Sequence, residues 1–178
     1  GADWTVDRLR QFAQLNEELV GEIARELGAP LLLGIDIHHL GAGVHLPDAW
    51  GCAITGNTFP LVHADSVRIG PGSGRHTISG NAFGNSYIGG KDKRPLTAKQ
   101  PMGRDAGTGI TLDGTTDIVI TGNIFGGLTT PAVIAKNGCK RLLIAHNIIT
   151  DVNRGAPGAK AIDTGDAQES VVKDNIGG

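Results

Sequence analysis

The chain has 178 residues, of which 39% are hydrophobic, 19% charged and 4% aromatic, and its formal net charge is -2. This composition is ordinary for one globular domain with a sizeable core, except that 28 residues are glycine. So much glycine without a triplet period excludes collagen and indicates many tight turns between short strands. No apolar run approaches the roughly 18 to 20 residues of a membrane span, and the charge gives no overall attraction to nucleic acid. We therefore expect neither a membrane nor nucleic acid as partner.

Residues 1–30 predict an amphipathic α-helix. Apolar residues recur at helical spacing from Val6 to Leu27, and Gly28 with Pro30 marks the end. We expect this helix to cap the domain that follows, residues 31–178, because repeat folds need caps at their ends. A partner surface and an insertion within a longer repeat protein are the alternatives. Since no charged segment followed by an apolar one stands at its start, we expect no secretory leader within these residues.

A cluster of histidines follows the predicted helix. Asp36 and His38 share one face of a predicted strand, and His39 and His45 lie close by in sequence. Histidine and aspartate are common metal ligands, so we predict Asp36 and His38 as a metal site, with an acid–base pair as an alternative. The spacing matches no recognised ligand motif, and surface or capping histidines are the alternative.

The rest of the chain repeats one short phrase around an asparagine. The phrase reads ITGNTF, ISGNAF, ITGNIF, IAHNII and VKDNI, with the asparagine at positions 57, 81, 123, 147 and 175. The intervals of 24, 42, 24 and 28 residues fit a unit of about 24 with insertions. A second apolar piece begins 13 or 14 residues before each asparagine, at Val44, Val67, Ile110, Val133 and Ile162. Each unit therefore predicts a strand, a turn, a second strand, a tight turn at the asparagine and a third strand.

Such units must stack, because none can bury an apolar face alone. A similar turn every ~24 residues winds the chain into a coil whose turns lie ~4.8 Å apart. Glycine precedes the asparagine in three units and suits a left-handed bend, while stacked asparagine amides can donate to one another as a ladder. We expect an all-β fold, a parallel β-helix of about five to six coils, in which the asparagines are structural. Cys52 and Cys139 lack metal-site spacing and are predicted as buried thiols.

The repeated unit resembles the right-handed parallel β-helix repeats of the pectin-lyase-like superfamily, over about residues 31–176. An asparagine ladder occupies the same kind of tight turn there. The resemblance implies a right-handed coil, a secreted or periplasmic location, and a substrate cleft along the first strand of each unit. It leaves the activity open, because that superfamily contains lyases, hydrolases, epimerases, phage tailspikes and adhesive domains.

The connections between units are short except for two insertions, at 84–106 and 150–160. Loops that depart from a rigid scaffold usually carry function. The longer insertion is basic, and we predict its cations as substrate-binding residues: Lys91, Lys93, Arg94, Lys99 and Arg104.

Alternation along the first strand of each unit predicts one outward column of side chains. Its members are His45, Arg68, Thr111, Ile134 and Asp163, and nearby turns add Asp48, Asp65, Asp113 and Asp166. Cations beside carboxylates suit an acidic polysaccharide. In uronate elimination a base takes the C5 proton while a cation, such as arginine, lysine or bound calcium, neutralises the adjacent carboxylate. We predict His45, Arg68 and Asp163 as catalytic residues, with solvated surface charges as the alternative. Hydrolysis would instead need paired carboxylates, for which Asp163 and Asp166 are the candidates.

Two functions follow from the sequence. The first is a lyase or epimerase acting on an acidic polysaccharide, with calcium as its expected cofactor. The second is a non-catalytic β-helix module that binds glycan or has a structural role. The last ladder asparagine, Asn175, is followed by three residues and no cap, which predicts either a larger protein or a covering chain such as a second copy.

Overall fold

A computed structural model describes residues 31–33, 43–60, 62, 64–84 and 107–177. Several predictions lie outside these residues: the N-terminal helix and its capping role, the metal ligands Asp36 and His38, and the basic residues of the long insertion. Within the described ranges, no helix is long and apolar enough to cross a membrane.

The described residues form fifteen β-strands in three parallel sheets. Sheet C contains the first strand of each unit: β2 (Val44–Leu46), β5 (Val67–Ile69), β8 (Ile110–Asp113), β11 (Val133–Lys136) and β14 (Ile162–Asp163). Sheet A contains β1 (Leu31–Leu33), β3 (Ala53–Thr55), β6 (Gly74–Ser79), β9 (Thr116–Thr121), β12 (Lys140–Ala145) and β15 (Val171–Lys173). Sheet B contains β4 (Thr58–Pro60), β7 (Ala82–Gly84), β10 (Ile124–Gly126) and β13 (Ile148–Thr150). Every strand pairs in parallel with its counterparts in adjacent units, so the chain forms the predicted parallel β-helix.

The register agrees with the unit read from the sequence. The apolar residues that open the first strands, from Val44 to Ile162, are direct partners across sheet C. The insertions therefore leave the strands in alignment and change only the connections.

The space between the sheets is filled by columns of apolar side chains. Phe59, Phe83 and Phe125 are buried and stack with ring centroids 4.8 Å apart, and Ile149 continues their column in register. Stacked aromatic pairs contribute about 0.5–1.5 kcal/mol beyond the area that they bury. The free thiols of Cys52 and Cys139 are buried, as predicted.

The asparagine ladder is continuous. Asn123 shows the pattern: its Oδ1 accepts from the backbone N–H of Asn81 at 3.0 Å and from Asn81 Nδ2 at 2.9 Å. Its own Nδ2 donates to Asn147 Oδ1 at 3.0 Å and to the Ile78 carbonyl at 3.0 Å. The same bonds run from Asn57 through Asn175, which confirms the structural role predicted for these residues.

The residue before each ladder asparagine is left-handed, as the three glycines predict. Gly122 has a φ of 65°, and its counterparts His146 and Asp174 adopt 58° and 53°. Non-glycine residues reach this region at a steric cost, so the tight bend is imposed by the stacked coils rather than by glycine alone.

The sequence reading missed a second left-handed column, at the start of the sheet A strands. It contains Gly51, Arg75, Asp117, Arg141 and Glu169. Its charges alternate along the coil, and Arg141 binds Asp117 through Nε at 2.6 Å and Nη2 at 3.0 Å.

The last coil described is the most open part of the core. Val171, Val172 and Ile176 are exposed, whereas Val44 and Leu46 in the first full coil are buried. The predicted covering chain or larger protein stays a prediction.

Candidate functional site: the outer face of sheet C

The predicted outward column lies on the outer face of sheet C. His45, Arg68, Thr111, Ile134 and Asp163 are direct partners in five adjacent strands. His45 is exposed while its strand neighbours are buried, because successive side chains of a strand point to opposite faces. The alternation read from the sequence is therefore confirmed here.

A second outward column lies two residues further along the same strands. It brings Lys136 of β11 beside Asp113 of β8, which are direct partners in the sheet. The sequence reading had noted Asp113 as a turn residue and had not singled out Lys136.

Asp113 is the centre of a charged group that also contains Asp65, Arg68, Thr111, Lys136 and Asn137, which we call the Asp113 cluster. Asp113 Oδ2 lies 3.3 Å from Arg68 Nη2 and 3.6 Å from Lys136 Nζ. Its other oxygen accepts a hydrogen bond of 2.6 Å from Asn137 Nδ2. The carboxylate of Asp113 on β8 thus contacts a cation from β5, a cation from β11 and the amide of the residue that follows β11.

Arg68 also reaches a second carboxylate. Its Nη1 lies 3.7 Å from Asp65 Oδ2, while Thr111 Oγ1 donates to Asp65 Oδ1 at 2.6 Å. The four charged side chains of the cluster balance, with two carboxylates against two cations.

The Asp113 cluster keeps its central carboxyl ionised. The hydrogen bond from Asn137, followed by the charges of Lys136 and Arg68, lowers the pKa of Asp113, and burial opposes the shift without reversing it. Only 9% of the Asp113 side chain is exposed, whereas the side chains of Arg68 and Lys136 are 39% and 45% exposed. Asp113 is therefore a positioning residue and a weak proton acceptor, and the cations are the groups that a ligand can reach.

The long insertion begins and ends at the corner that borders this cluster. The chain leaves after Gly84 at the end of β7, and on its return the carbonyl of Thr108 accepts a hydrogen bond of 2.6 Å from Ser66 Oγ. Thr108 Oγ1 in turn donates to the Val62 carbonyl at 2.9 Å. Ser66 directly follows Asp65, so the insertion rejoins the coil beside the cluster.

Asp163 and Asp166 lie apart from the cluster and bind nearby backbone. Asp163 Oδ1 accepts from Gly165 N at 3.1 Å, and Asp166 Oδ1 accepts from Gly138 N at 3.1 Å. Both carboxylates thus stabilise turns that follow the last strands of sheet C, β11 and β14. The paired-carboxylate hypothesis for hydrolysis gains no contact from this arrangement.

No group of three or more histidine, cysteine or acidic side chains is arranged to hold a metal ion in the part of the chain that the structure describes. Asp36 and His38 lie outside that part, so the calcium and metal-site predictions stay predictions.

Comparison with known proteins adds no relative: no protein-family model, no curated protein and no solved structure matches this chain. The resemblance to pectin-lyase-like proteins thus rests on the repeat unit and the ladder.

Proposed function

We propose that this protein is a carbohydrate-active β-helix that binds an acidic polysaccharide on the outer face of sheet C. The observation that carries the proposal is the pair of reachable cations, Arg68 and Lys136, on either side of Asp113. A right-handed coil, membership of the pectin-lyase-like superfamily and secretion belong to the same proposal. The parallel coils and the asparagine ladder support its fold, and secretion follows only from the resemblance.

The donors of Arg68 are only loosely engaged by protein. Its contacts of 3.3 and 3.7 Å are longer than the ~2.7–2.9 Å of a strong charge-assisted hydrogen bond. A uronate carboxylate can therefore bind the guanidinium without first breaking a tight ion pair.

The balanced charge of the cluster favours selectivity over general attraction to polyanions. Asp65 and Asp113 cancel the two cations at long range, so a ligand gains only by placing its carboxylate in contact with Arg68 or Lys136. The five basic residues of the long insertion belong to the same proposal as further substrate-binding residues.

Binding is tested by isothermal titration with pectate, alginate and a glycosaminoglycan, and with a neutral glucan as the ligand control. The double variant Arg68→Ala/Lys136→Ala should bind the acidic chains about tenfold or more weakly, since two charged contacts are lost. The matched control is Lys140→Ala/Arg141→Ala, which removes two exposed cations from sheet A. Equal losses in both double variants, or no binding by the wild type, would show that the proposal is wrong.

A second candidate is elimination or epimerisation on the same face. It is favoured by the position of His45, which is exposed and is the direct strand partner of Arg68. Histidine is the side chain most often used as a general base, so His45 would take the C5 proton while Arg68 neutralises the carboxylate beside it. In elimination the C4–O bond then breaks, a C4=C5 double bond forms and the leaving oxygen takes a proton from the His45 imidazolium or from water. In epimerisation water returns a proton to the opposite face of C5. Asp163 is three strands away from Arg68, about 14 Å at the spacing of a sheet, so this mechanism uses only His45 and Arg68, and the catalytic role of Asp163 stays a prediction.

The catalytic candidate is tested by following the ultraviolet absorbance of unsaturated products, with and without calcium, and proton exchange at C5 by NMR. His45→Ala should abolish turnover and leave the affinity for the polysaccharide within about twofold of the wild type, since a base contributes to the reaction rather than to binding. Intact binding with neither product nor exchange would leave a binding module and exclude catalysis on these substrates.

A further inference from the structure

The outer face of sheet A begins with a column of alternating charge. Its charged members occupy equivalent positions in four successive coils, in the order Arg75, Asp117, Arg141 and Glu169. The pKa of Asp117 is lowered, first by its hydrogen bond from Arg141 and also by the charge of Arg75. The pKa of Arg141 is raised, first by Asp117 and also by the charge of Glu169. The four charges therefore lie close enough to act on one another.

A largely apolar column runs beside these charges, two residues further along the same strands. Its members are direct partners in β6, β9, β12 and β15: Thr77, Val119, Leu143 and Val171. Leu143 and Val171 are 37% and 47% exposed, because this position faces outward while its strand neighbours in β12 point into the core. The outer face of sheet A thus presents apolar side chains next to a line of charges.

The order of the charges is its own complement when it is reversed. From the coil of β6 to the coil of β15 the signs are positive, negative, positive and negative. A two-fold axis parallel to the strands, between β9 and β12, places Arg75 opposite Glu169 of a second copy. The same axis places Asp117 opposite Arg141 of the second copy, and each pairing occurs twice. Opposite charges therefore meet at all four positions, and like charges meet at none.

The same axis brings the two apolar columns together. Val119 lies opposite Leu143 of the second copy, and Thr77 lies opposite Val171. Burial of these side chains supplies the gain in free energy, since it removes apolar surface from water. The charged column selects the partner and fixes its register, because a shift by one coil would bring like charges together.

We propose that this face of sheet A, from the charged column to the apolar column, binds a second copy of the chain in a symmetric dimer. The surface is on the side of the coil and not at the end of the last coil. Strands of six residues are about 20 Å long and four of them span about 19 Å, so each copy would bury roughly 400 Å². Such an area is at the small end of specific interfaces, and we expect a weak dimer with a dissociation constant of roughly 100 μM.

The test is sedimentation equilibrium of the wild type and of two charge reversals, at concentrations from about ten times below to ten times above that constant. Asp117→Arg and Arg141→Asp should each weaken self-association about tenfold or more, because like charges then meet at two positions across the axis. Each variant uses a residue type that the column already holds with a left-handed backbone, so both should fold.

An equal mixture of the two variants should form a heterodimer. Every charge in the column of Asp117→Arg then faces an opposite charge in the reversed column of Arg141→Asp, although each variant alone lacks the internal pair. A purely structural role for the pair between Asp117 and Arg141 would not restore association on mixing. A mixture that stays monomeric would overturn the proposal, and so would a wild type that is monomeric over the whole range.

Three further variants complete the test. Asp117→Arg/Arg141→Asp keeps both the internal pair and the self-complementary order, so it should dimerise within about threefold of the wild type and serves if a single variant does not fold. Leu143→Lys should weaken the dimer about tenfold, whereas Ile148→Lys, at a similarly exposed position of sheet B, is the matched control. Monomeric double reversal, or equal dimerisation of both lysine variants, would overturn the proposal.

The dimer and the polysaccharide site fail independently. Arg68→Ala/Lys136→Ala changes only sheet C and should leave the dissociation constant of the dimer unchanged. A dimer lost in that variant would place the interface on sheet C and overturn the proposal.

Discussion

The asparagine ladder and the outer face of sheet C are built by the same stacked coils, yet they use opposite residue patterns. The ladder has one residue type in every coil, from Asn57 to Asn175. The outward column of sheet C has a different residue in each coil, beginning with His45 and Arg68. Stacking alone therefore aligns side chains without making them alike.

The difference lies in what satisfies each polar group. In the interior, Asn81, Asn123 and Asn147 are buried and every ladder amide must find its partners in the next coil. A buried polar group without a partner is costly, so an asparagine in one coil requires an asparagine at the same position in the next coil to satisfy its amide. On the outer face, water satisfies the side chains and the residue type is free to follow function.

The largest loss of stability is expected when one asparagine is removed from the middle of the ladder. Asn123→Ala removes the acceptor of two Asn81 donors and leaves the Ile78 carbonyl without its bond. Because these groups are buried, we expect a loss of about 3–5 kcal/mol in the free energy of unfolding. Urea unfolding followed by circular dichroism measures it.

Two variants control this experiment. Ile124→Thr changes the adjacent exposed residue and should cost less than about 1 kcal/mol. If Asn123→Ala does not fold, Asn175→Ala at the end of the ladder should show a smaller loss, because Asn175 is only partly buried. A loss below about 1 kcal/mol at Asn123 would mean that the ladder does not stabilise the interior as described.

The same contrast explains why the coil and its register could be predicted from the sequence. Interior positions repeat, so the constant 13 or 14 residues from the opening apolar residue to the asparagine gave the three strands and their alignment. The outward positions of sheet C followed from that alignment by alternation, which placed His45 and Arg68 side by side.

The contacts of the Asp113 cluster could not be predicted in the same way. Lys136 ends β11 and Asn137 begins a turn whose backbone is left-handed, with a φ of 58°. Nothing in the spacing says that this turn aims an amide at Asp113. Strand alternation does, however, place Lys136 two residues after Ile134, and that signal was open to use.

A smaller loss of stability is expected when the central carboxylate of the Asp113 cluster is removed from the outer face of sheet C. Asp113→Asn leaves Arg68 and Lys136 without their shared carboxylate and should cost about 1–2 kcal/mol at pH 7. The pKa of Asp113 is lowered from 3.8 in the folded state, first by Asn137. Its contribution is therefore complete above about pH 4 and is lost as the pH falls through the lower folded-state pKa.

The measurement is the free energy of unfolding in urea at pH 7 and near pH 3. We expect the difference in the free energy of unfolding between wild type and Asp113→Asn to become smaller as the pH falls below about 4. Asp163→Asn changes a carboxylate on the same face that accepts a hydrogen bond from Gly165 N, and it should show little change at either pH. If this difference in the free energy of unfolding does not change with pH, the charge of Asp113 does not stabilise the cluster.

The smallest effect on stability is expected in a comparison between an interior histidine, His76, and an exterior one, His45. His76 is buried in an interior column between Cys52 and Ile118, and its Nδ1 accepts from Cys52 N at 3.0 Å. Burial lowers the pKa of His76 from 6.5. The unfolded chain therefore takes up a proton first, and stability is lost as the pH falls below about 6.5.

His76→Ile, which copies Ile118, should remove this pH dependence. Relative to the variant, the wild type should lose about 1 kcal/mol between pH 7 and pH 5.5, measured by urea unfolding at closely spaced pH values. His45→Thr, which removes an exposed histidine from the outer face instead, is the matched control. Equal pH dependence in wild type and His76→Ile would show that the interior column tolerates a proton, and the contrast between interior and exterior would then fail at this position.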